Sequence, residues 1–237
     1  MKQLIFFDTE TTGNTEEDYL CQIAYKTGEE TFSGFYKPPI KIPPEASAVH
    51  HITNKMVDGR SAFRESEEYR AIKNLFEGKD TVVVAHNAPF DLAMIGKEGI
   101  QPANFICTLR LIRHLDEECK IERYNLQYLR YLLELDVEAN AHDALGDVLV
   151  LEKLFEHLKR EMAEGGKGED EIIAEMLDIS AKPSLIRRFT FGKFNGRPLK
   201  EIVEIEPGYL EWLLGEKQKE SAPDEDWIYT LKHHLGK

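Results

Sequence analysis

The sequence has few cysteines and no long apolar run. Its three cysteines are odd in number and widely spaced, so they predict neither a disulfide framework nor a zinc or redox motif. The ordinary interpretation of these cysteines is reduced thiols without a chemical role. No apolar segment approaches the roughly 20 residues that cross a bilayer, and the apolar start of the chain meets Asp8 too early for a signal peptide. These absences predict no membrane partner and a cytoplasmic location.

Histidine pairs with metal-ligand spacing are also lacking. The pairs at residues 50–51 and 233–234 have no cysteine or carboxylate at a spacing typical of a metal site. We therefore expect these four histidines to be structural or surface residues.

Basic residues are outnumbered, with 30 lysines and arginines against 43 aspartates and glutamates and a formal net charge of −13. An acidic balance disfavours a nucleic-acid partner, but carboxylates that bind divalent cations add negative charge that the metal offsets. The charge is also uneven, because residues 181–200 contain no acidic side chain. Net charge alone therefore does not decide the class of partner. The basic residues of this segment are Lys182, Arg187, Arg188, Lys193, Arg197 and Lys200.

The apolar content of 42% and the charged content of 31% are typical of a globular protein. The predicted elements begin with consecutive strands and continue with strands that alternate with helices. This order indicates an α/β fold with a mixed sheet and helices on its faces. Short apolar or β-branched runs predict strands over residues 3–8, 20–27, 31–37, 81–85 and 105–107. Helical spacing of apolar residues predicts helices over residues 66–76, 89–97, 108–115, 126–133 and 143–160.

A polar, glycine-rich stretch at residues 164–169 is the best candidate for a linker. A short helix is predicted over residues 170–177, and an aromatic and basic segment follows it. We therefore predict a main domain over residues 1–163, a linker with a short helix over 164–184, and a small C-terminal module over 185–237.

The first acidic motif is Asp8-Thr-Glu10, which ends the first predicted strand and precedes a Thr-Thr-Gly segment at 11–13. Residues two apart in a strand point to the same face, so Asp8 and Glu10 project together. Two carboxylates held side by side repel each other unless a cation lies between them, which is how a site for Mg²⁺ or Mn²⁺ is built. The ordinary alternative is an acidic surface turn.

The second motif, His-Asn-Ala-Pro-Phe-Asp at residues 86–91, follows the predicted strand 81–85. Open α/β sheets place their ligands at this end of a strand. Asp91 falls in the first turn of the next helix, where a negative charge is favourable in any case. That helix-terminal role is the ordinary interpretation of Asp91, and a metal ligand is the functional one.

The third motif, His-Asp-Ala-Leu-Gly-Asp at residues 142–147, opens the long helix. Asp147 lies on the inward stretch beside Val148 and Leu151, and a carboxylate that faces a core needs a partner or a metal. His142 lies at the junction of loop and helix, a position suited to a general base because histidine titrates near neutrality. The ordinary alternatives are a helix-terminal role for His142 and an ion pair for Asp147.

In this order, the three motifs resemble those of the DnaQ-like exonucleases, which are D-x-E, H-N-x-x-F-D and H-x-x-x-x-D. The histidine five residues before the last aspartate is typical of the DEDDh branch of that superfamily. Residues 48–53 resemble a further segment of the family, and the resemblance runs from about residue 3 to residue 160. The remainder resembles the exodeoxyribonuclease X subfamily at residues 182–185, 189–193, 207–213 and 229–235, and residues 106–110 of the main domain fit that subfamily as well.

The resemblance implies a ribonuclease H-like fold, which is a five-stranded mixed sheet flanked by helices. It implies a 3′→5′ exonuclease that releases 5′-mononucleotides from single-stranded DNA or DNA 3′ ends, with two Mg²⁺ ions or Mn²⁺ as a substitute. Asp8 would bridge the ions, with Glu10 and Asp147 beside it. Asp91 would support the second ion, and His142 would take a proton from the attacking water. The residues implied in substrate binding are Thr9, Thr11, Thr12, Gly13, Asn14, His86, Asn87 and Phe90.

The chain departs from the family pattern at two places. Asn14 and Thr15 stand where many relatives have an apolar side chain that stacks on the terminal bases, which favours digestion of single strands over duplex ends. Asp143 follows His142 at a position that is often basic or neutral, so we expect a raised pKa for His142 and a higher working pH.

The C-terminal module carries seven aromatic side chains among its basic residues. One interpretation is a nucleic-acid surface, with phosphates bound by Arg187, Arg188, Lys193 and Arg197. The ordinary one is that the aromatic rings form the core of a module of roughly 50 residues, and we expect this for most of them. A protein partner is a further candidate ligand for the module. The aromatic residues are Phe189, Phe191, Phe194, Tyr209, Trp212, Trp227 and Tyr229.

Three functions are compatible with these observations. The first is a DNA exonuclease in repair or end processing, and the second is an RNA-trimming relative with the same motifs. The third is a polymerase-associated protein whose tail recruits a partner. A proofreading subunit is expected to carry a short polar tail with a sliding-clamp motif, whereas this sequence ends in an aromatic module. An inactive binding protein is disfavoured because all four carboxylates and the histidine are present.

Overall fold

The computed structural model describes residues 2–137, 144–163, 166–220 and 223–237, and a five-stranded mixed sheet lies at its centre. The strands are β1 (Gln3–Thr11), β2 (Leu20–Thr27), β3 (Glu30–Phe35), β4 (Thr81–Ala85) and β5 (Phe105–Cys107). The order across the sheet is β3-β2-β1-β4-β5. β2 pairs antiparallel with β1 and β3, while β4 pairs parallel with β1 and β5. The predicted α/β class with a mixed five-stranded sheet is confirmed.

Helices cover both faces of the sheet and make up most of the C-terminal part. No helix in the described part of the chain combines the length and apolarity needed to span a membrane. The helices are α1 (Pro44–His50), α2 (Asn54–Val57), α3 (Tyr69–Phe76), α4 (Ala88–Lys97), α5 (Thr108–Leu115), α6 (Leu126–Leu132), α7 (Ala144–Met162), α8 (Glu169–Ser180), α9 (Leu199–Ile205), α10 (Pro207–Lys217) and α11 (Glu225–Leu235).

β1 is the central strand, and its alternating side chains enter two separate cores. Phe6 packs edge-on against Phe155 of α7, with ring centroids 5.3 Å apart, in a core shared with α5, α6 and α8. Phe7 points to the other face and meets Phe76 of α3 at 5.2 Å. Because side chains alternate along a strand, even-numbered residues that follow Phe6 face α7 and odd-numbered ones face the α3 and α4 layer.

The C-terminal module has its own apolar core, in which Phe189, Phe194 and Trp227 are buried. The structural interpretation of most of the aromatic residues is therefore confirmed. Trp212 and Tyr229 are the exceptions among the seven, because 56% and 43% of their surfaces are exposed.

The basic run of the module is largely engaged within the chain. Arg187 donates a hydrogen bond to the carbonyl of Arg113 in α5. Lys193 pairs with Glu206 at 2.5 Å, and Arg197 with a glutamate of α9 at 3.2 Å. Arg188, which bonds only to backbone carbonyls, has no carboxylate within ion-pair distance in the described part of the chain.

Several elements differ from the sequence-based expectation, among them β1 and the helix after the predicted linker. β1 was predicted to end at Asp8 but runs to Thr11, because its pairing with β2 continues past the acidic motif and becomes irregular only after Glu10. The helix predicted over residues 170–177 spans Glu169–Ser180 and packs on α5 and β5. Its residues Ile172 and Met176 belong to the α7-side core. The division of the chain into three parts stays a prediction.

Candidate metal centre

Asp8 and Glu10 project from β1 on the side of the sheet that carries α7. Phe6, two residues before Asp8, packs on Phe155 of α7, and the strand continues without a break to Glu10. Side chains two apart share a face of a strand, so both carboxylates point towards the start of α7. The ladder to β2 shifts register between Glu10 and the next residue, and such irregularities often lie beside functional sites because they redirect side chains.

Asp147 completes a cluster with the two strand carboxylates. It lies in the first turn of α7, where Val148 and Leu151 are buried in the same core. Asp8, Glu10 and Asp147 each offer one carboxylate oxygen, and these oxygens all lie within 4.8 Å of one another. Oxygen donors at this spacing suit hard divalent cations such as Mg²⁺ and Mn²⁺. The geometry is therefore that of a cation site.

Gln127 of α6 contacts the cluster and was not identified from the sequence. Its side-chain Nε2 donates to Oδ1 of Asp147 over 2.5 Å. A hydrogen bond to one oxygen fixes the rotation of a carboxylate, and outer-shell contacts of this kind orient metal ligands. A glutamine on an amphipathic helix carries no recognisable motif, so only the packing of α6 on α7 reveals this contact.

Asp91 approaches from the opposite face of the sheet. Its Oδ1 accepts hydrogen bonds from the Thr9 amide at 3.1 Å and from the Thr9 hydroxyl at 2.7 Å. Thr9 lies between Asp8 and Glu10, so Asp91 is tied to the segment that joins two members of the cluster. Burial raises the pKa of the Asp91 carboxyl to about 7, although the bonds from Thr9 act in the opposite direction. These contacts lie on the α4 side of the sheet and tie Asp91 to β1, in addition to its place in the first turn of α4.

His142, the predicted general base, lies outside the described residues, as does Asp143 beside it. The described residues end at residue 137, after α6, and resume at Ala144, where α7 begins. Ala144 is fully buried against the α7-side core. The role of His142 stays a prediction.

A cavity of about 570 Å³ opens beside Glu10. Its volume lies within the range of small-molecule and cofactor pockets. Six of the predicted substrate-binding residues line it, together with side chains of α1 that were not predicted as site residues. Among the latter, Val49 exposes 54% of its surface as an apolar wall. The lining residues from the predicted set are Thr9, Thr11, Thr12, Gly13, Asn14 and Phe90.

The rim of this cavity is held by the carboxylate of Asp18. It accepts from the Thr12 hydroxyl at 2.8 Å and from the amide and hydroxyl of Thr15 at 2.8 and 2.7 Å. A Cβ at Gly13 would lie 2.6 Å from an Asp18 oxygen, so a larger residue there would displace the carboxylate from these hydrogen bonds. Partial burial acts to raise the pKa of Asp18, but the hydrogen bonds from Thr15 and Thr12 outweigh it and lower that pKa.

His50 at the end of α1 is structural, as expected from the sequence. The amide of Ile52 donates to its Nδ1 at 3.0 Å, and its Nε2 lies 3.1 Å from the carbonyl of Thr11. A carbonyl can only accept, so Nε2 carries the proton and the ring is neutral. Burial lowers the pKa of His50. The ring thereby fixes the backbone of the predicted substrate loop against α1.

His86 and Asn87, the remaining predicted substrate residues, lie at the end of β4. His86 Nε2 is 2.6 Å from the carbonyl of Tyr124, and Nδ1 is 3.0 Å from the hydroxyl of Thr108. Both ring nitrogens are thus engaged within the chain, and burial lowers the pKa of His86 to about 4. Asn87 is exposed and adopts a left-handed conformation, with φ of 65°, immediately before α4. Substrate binding by this pair stays a prediction.

The sequence was compared with known families and proteins. Residues 5–155 match the family model described as Exonuclease, and residues 189–218 match the one described as Exodeoxyribonuclease X-like C-terminal. Exodeoxyribonuclease 10 of Escherichia coli is 30% identical over 204 residues, which cover 86% of this chain and 84% of that protein. The DNA polymerase III subunit epsilon of Treponema pallidum is 34% identical over 163 residues, covering 63% of this chain and 73% of that subunit.

The fold was compared with solved structures. An exonuclease X in complex with 5′ overhanging duplex DNA superposes with a TM-score of 0.58 and 26% identity, covering 75% of this chain and 99% of that one. Exonuclease I of E. coli in complex with a dA16 oligonucleotide superposes with a TM-score of 0.56 and 17% identity, covering 74% of this chain and 43% of that one. The second likeness concerns the fold alone.

Proposed function

The chain belongs to the exonuclease family, and from this membership we propose that it is a metal-dependent 3′→5′ exodeoxyribonuclease that releases 5′-mononucleotides. The observation that carries the proposal is the convergence of the Asp8, Glu10 and Asp147 oxygens within 4.8 Å. The cavity beside Glu10, walled by α1 and by the loop after β1, is the space for the terminal nucleotide. The similarity to E. coli exodeoxyribonuclease 10 over most of both chains supports DNA as the substrate.

The donor set supports divalent cations, with Mg²⁺ as the working ion and Mn²⁺ as a substitute. Carboxylate oxygens alone, without cysteine or histidine in the described cluster, suit hard cations rather than zinc. Two such ions, when bound, stabilise the attacking and leaving oxygens of an in-line displacement at phosphorus. Asp8 and Glu10 would bind the cations from β1, and Asp147 would bind them from α7.

The remaining residues position the reaction and move its proton. Asp91, anchored by Thr9, supplies negative charge from the other face of the sheet for a second ion. His142 accepts the proton of the attacking water, which leaves a nucleophile directed at the terminal phosphodiester. Gln127 restrains the Asp147 carboxylate. Thr11, Thr12 and Asn14 contact the terminal nucleotide.

Two alternatives use the same chemistry or the same fold. An RNA-trimming enzyme would place the same carboxylates around a ribonucleotide. A proofreading subunit would resemble the T. pallidum polymerase subunit, but the match of residues 189–218 to an exodeoxyribonuclease X-like C-terminal model favours the first proposal. The C-terminal module remains a candidate site for a protein partner.

The test of the substrate is digestion of 5′-labelled single-stranded DNA and RNA of the same sequence with Mg²⁺, and with EDTA as the control. We expect the DNA to shorten from its 3′ end, the RNA to stay largely intact, and EDTA to stop the reaction. Preferential trimming of RNA would overturn the choice of substrate. Absence of metal-dependent cleavage of either strand would overturn the enzymatic proposal.

The test of the machinery is a pair of substitutions. Asp8→Ala removes a cluster carboxylate, and His142→Ala removes the general base, whose contribution in enzymes is typically about 10²–10⁴-fold in rate. Both variants are expected to lose at least that factor in turnover while keeping the circular dichroism spectrum of the native chain. Full activity of either variant in the native fold would contradict the assignment of that residue.

A further inference from the structure

A second cavity, of about 790 Å³, separates the catalytic domain from the C-terminal module. One wall is the segment that connects α5 to α6, with Arg123 and Asn125, together with Asn87 before α4. The other wall belongs to the module and contains Arg188 and Thr190. We call this space the interdomain cleft. Its lining side chains are mainly polar, and the exposed ones carry amide, hydroxyl and guanidinium groups and the carboxylate of Glu122.

The charge of the cleft is opposite to that of the whole molecule. The chain carries a formal net charge of −13, yet the lining has three arginines and one glutamate, Glu122. Arg113 is neutralised by Asp226 at 2.7 Å. Arg123 and Arg188 remain, and neither forms an ion pair in the described part of the chain. A concave cationic surface on an acidic protein concentrates anionic ligands.

Both walls of the cleft are fixed in place before any ligand arrives. Asp116 organises the α5–α6 segment by accepting from the amides of Lys120 and Ile121 at 2.8 and 3.0 Å and from the Tyr124 hydroxyl at 2.6 Å. Arg188 donates across the cleft to the carbonyl of Cys119 at 3.3 Å. A cleft whose walls are already joined loses little conformational freedom when it binds a ligand.

The interdomain cleft adjoins the cavity beside the metal centre. Asn87 lines the cleft, and Phe90, in the first turn of α4, lines the other cavity. The amide of Phe90 donates to the carbonyl of Asn87 at 2.9 Å, so the first turn of α4 separates the two spaces. A polymer whose end occupies the cavity beside Glu10 reaches the cleft within a short length of chain.

We propose that the interdomain cleft holds the single-stranded DNA upstream of the 3′ end, with Arg123 and Arg188 contacting backbone phosphates. The inference rests on the proposed exonuclease function and gives the module a role in holding substrate. Phe189, the aromatic residue that the module contributes to the lining, is buried in the module core. The module therefore contributes phosphate contacts rather than a stacking surface, and such contacts are independent of sequence.

The test compares substrates that do and do not reach the cleft. A p-nitrophenyl ester of thymidine 5′-monophosphate fits the metal centre alone, whereas a thymidine oligomer of about 12 nucleotides spans both sites. Arg123→Glu is expected to raise KM for the oligomer about tenfold and to reduce the salt dependence of binding by about one phosphate contact. Hydrolysis of the ester is expected to stay unchanged. Thr190→Glu, on the opposite wall, is expected to act in the same direction with a smaller effect.

The controls carry equal charge changes outside the cleft. Lys200→Glu on α9 matches Arg123→Glu, and Gln218→Glu after α10 matches Thr190→Glu, since both residues are exposed. Equal weakening by a variant and its control, or an unchanged KM for the oligomer in both cleft variants, would overturn the inference while leaving the nuclease intact. Failure of the wild-type chain to hydrolyse the ester and the oligomer with Mg²⁺ or Mn²⁺ would overturn the proposed function and this inference together.

Discussion

Thr9 joins two halves of the candidate site that lie on opposite faces of the sheet. Its neighbours Asp8 and Glu10 point to α7, and its own amide and hydroxyl bind Asp91 of α4. A single strand residue thus transmits the position of α4 to the carboxylate cluster. The order Asp-Thr-Glu shows the shared face of the two acids, but it does not reveal that the residue between them binds the fourth carboxylate.

His86 gives the protein a specific sensitivity to acid. Burial lowers its pKa in the folded chain to about 4, whereas the unfolded chain protonates near pH 6.5. The unfolded state therefore binds more protons between these values, so stability is full above pH 6.5 and is lost as the pH falls. We expect this group to cost about 2–3 kcal/mol of the free energy of unfolding by pH 4.

Urea unfolding between pH 4 and pH 7 measures this contribution. His86→Gln is expected to lower the free energy of unfolding at pH 7, because two hydrogen bonds of the ring change. It is also expected to remove about 2–3 kcal/mol of the decline in that free energy between pH 7 and pH 4. His114→Gln changes an exposed histidine and serves as the control with the wild-type slope. The same slope in His86→Gln and the wild type would show that His86 is not the group responsible.

At the level of residues, the sequence identified the members of the site but not all of their contacts. The three motifs supplied Asp8, Glu10 and Asp147, which the structure brings together. Gln127 was missed because a glutamine on an amphipathic helix belongs to no motif, and Val49, although it lies in the family-like segment 48–53, was not predicted to line the site. Their roles depend on the distance between elements, which spacing along the chain does not encode.

At the level of elements, the strongest link between the two parts of the chain joins α5 to α11. Asp226 of α11 accepts from Arg113 at 2.7 Å and lies 3.2 Å from Nε of Arg110, whose side chain is only 4% exposed. The amide and hydroxyl of Ser184 also donate to Asp226, both at 2.9 Å. Removal of one partner from a buried ion pair leaves the other charge without compensation.

Asp226→Ala is therefore expected to destabilise the chain by about 3–5 kcal/mol. Chemical denaturation, followed by tryptophan fluorescence, measures the effect because Trp227 lies beside the substitution in the module core. Glu225→Ala removes a side chain that is 68% exposed and contacts Arg110 at 3.1 Å, and it is expected to cost less than about 1 kcal/mol. Equal losses in the two variants would contradict the importance of burial.

The elements show where prediction from sequence works and where it fails. The strand Thr81–Ala85 and the helix Thr108–Leu115 have the predicted bounds, because apolar periodicity alone defines them. The predicted end of β1 was wrong, because Thr9, Glu10 and Thr11 have the polar composition of a loop and only their pairing with β2 shows that they continue the strand. The apolar face of α8 was visible, but the surface on which it packs was not.

For the whole molecule, three carboxylates packed together cost stability that a cation restores. A ligand that binds only the folded state stabilises it by about 2.7 kcal/mol at a concentration 100 times its Kd. Mn²⁺ or Mg²⁺ is therefore expected to raise the melting temperature, and Asp8→Asn is expected to raise it in EDTA and abolish the response to metal. Repulsion between like charges is the reason for both effects.

Differential scanning calorimetry with and without Mn²⁺ measures this response. Asp178→Asn, which neutralises a carboxylate with 66% of its side chain exposed on α8, controls for the change in net charge and should respond to metal as the wild type does. A metal response retained in Asp8→Asn would place the cation elsewhere in the molecule.

The span of the candidate ligands along the chain has a consequence for synthesis. Asp8 and Glu10 leave the ribosome early, but Asp147 follows more than 130 residues later, and the layer of α7 must dock before the three oxygens meet. Long-range contacts of this kind form late in folding. A nascent chain therefore carries no assembled cation site until α7 has emerged from the ribosome and packed on the sheet, and the nuclease proposed here would become active only after that step.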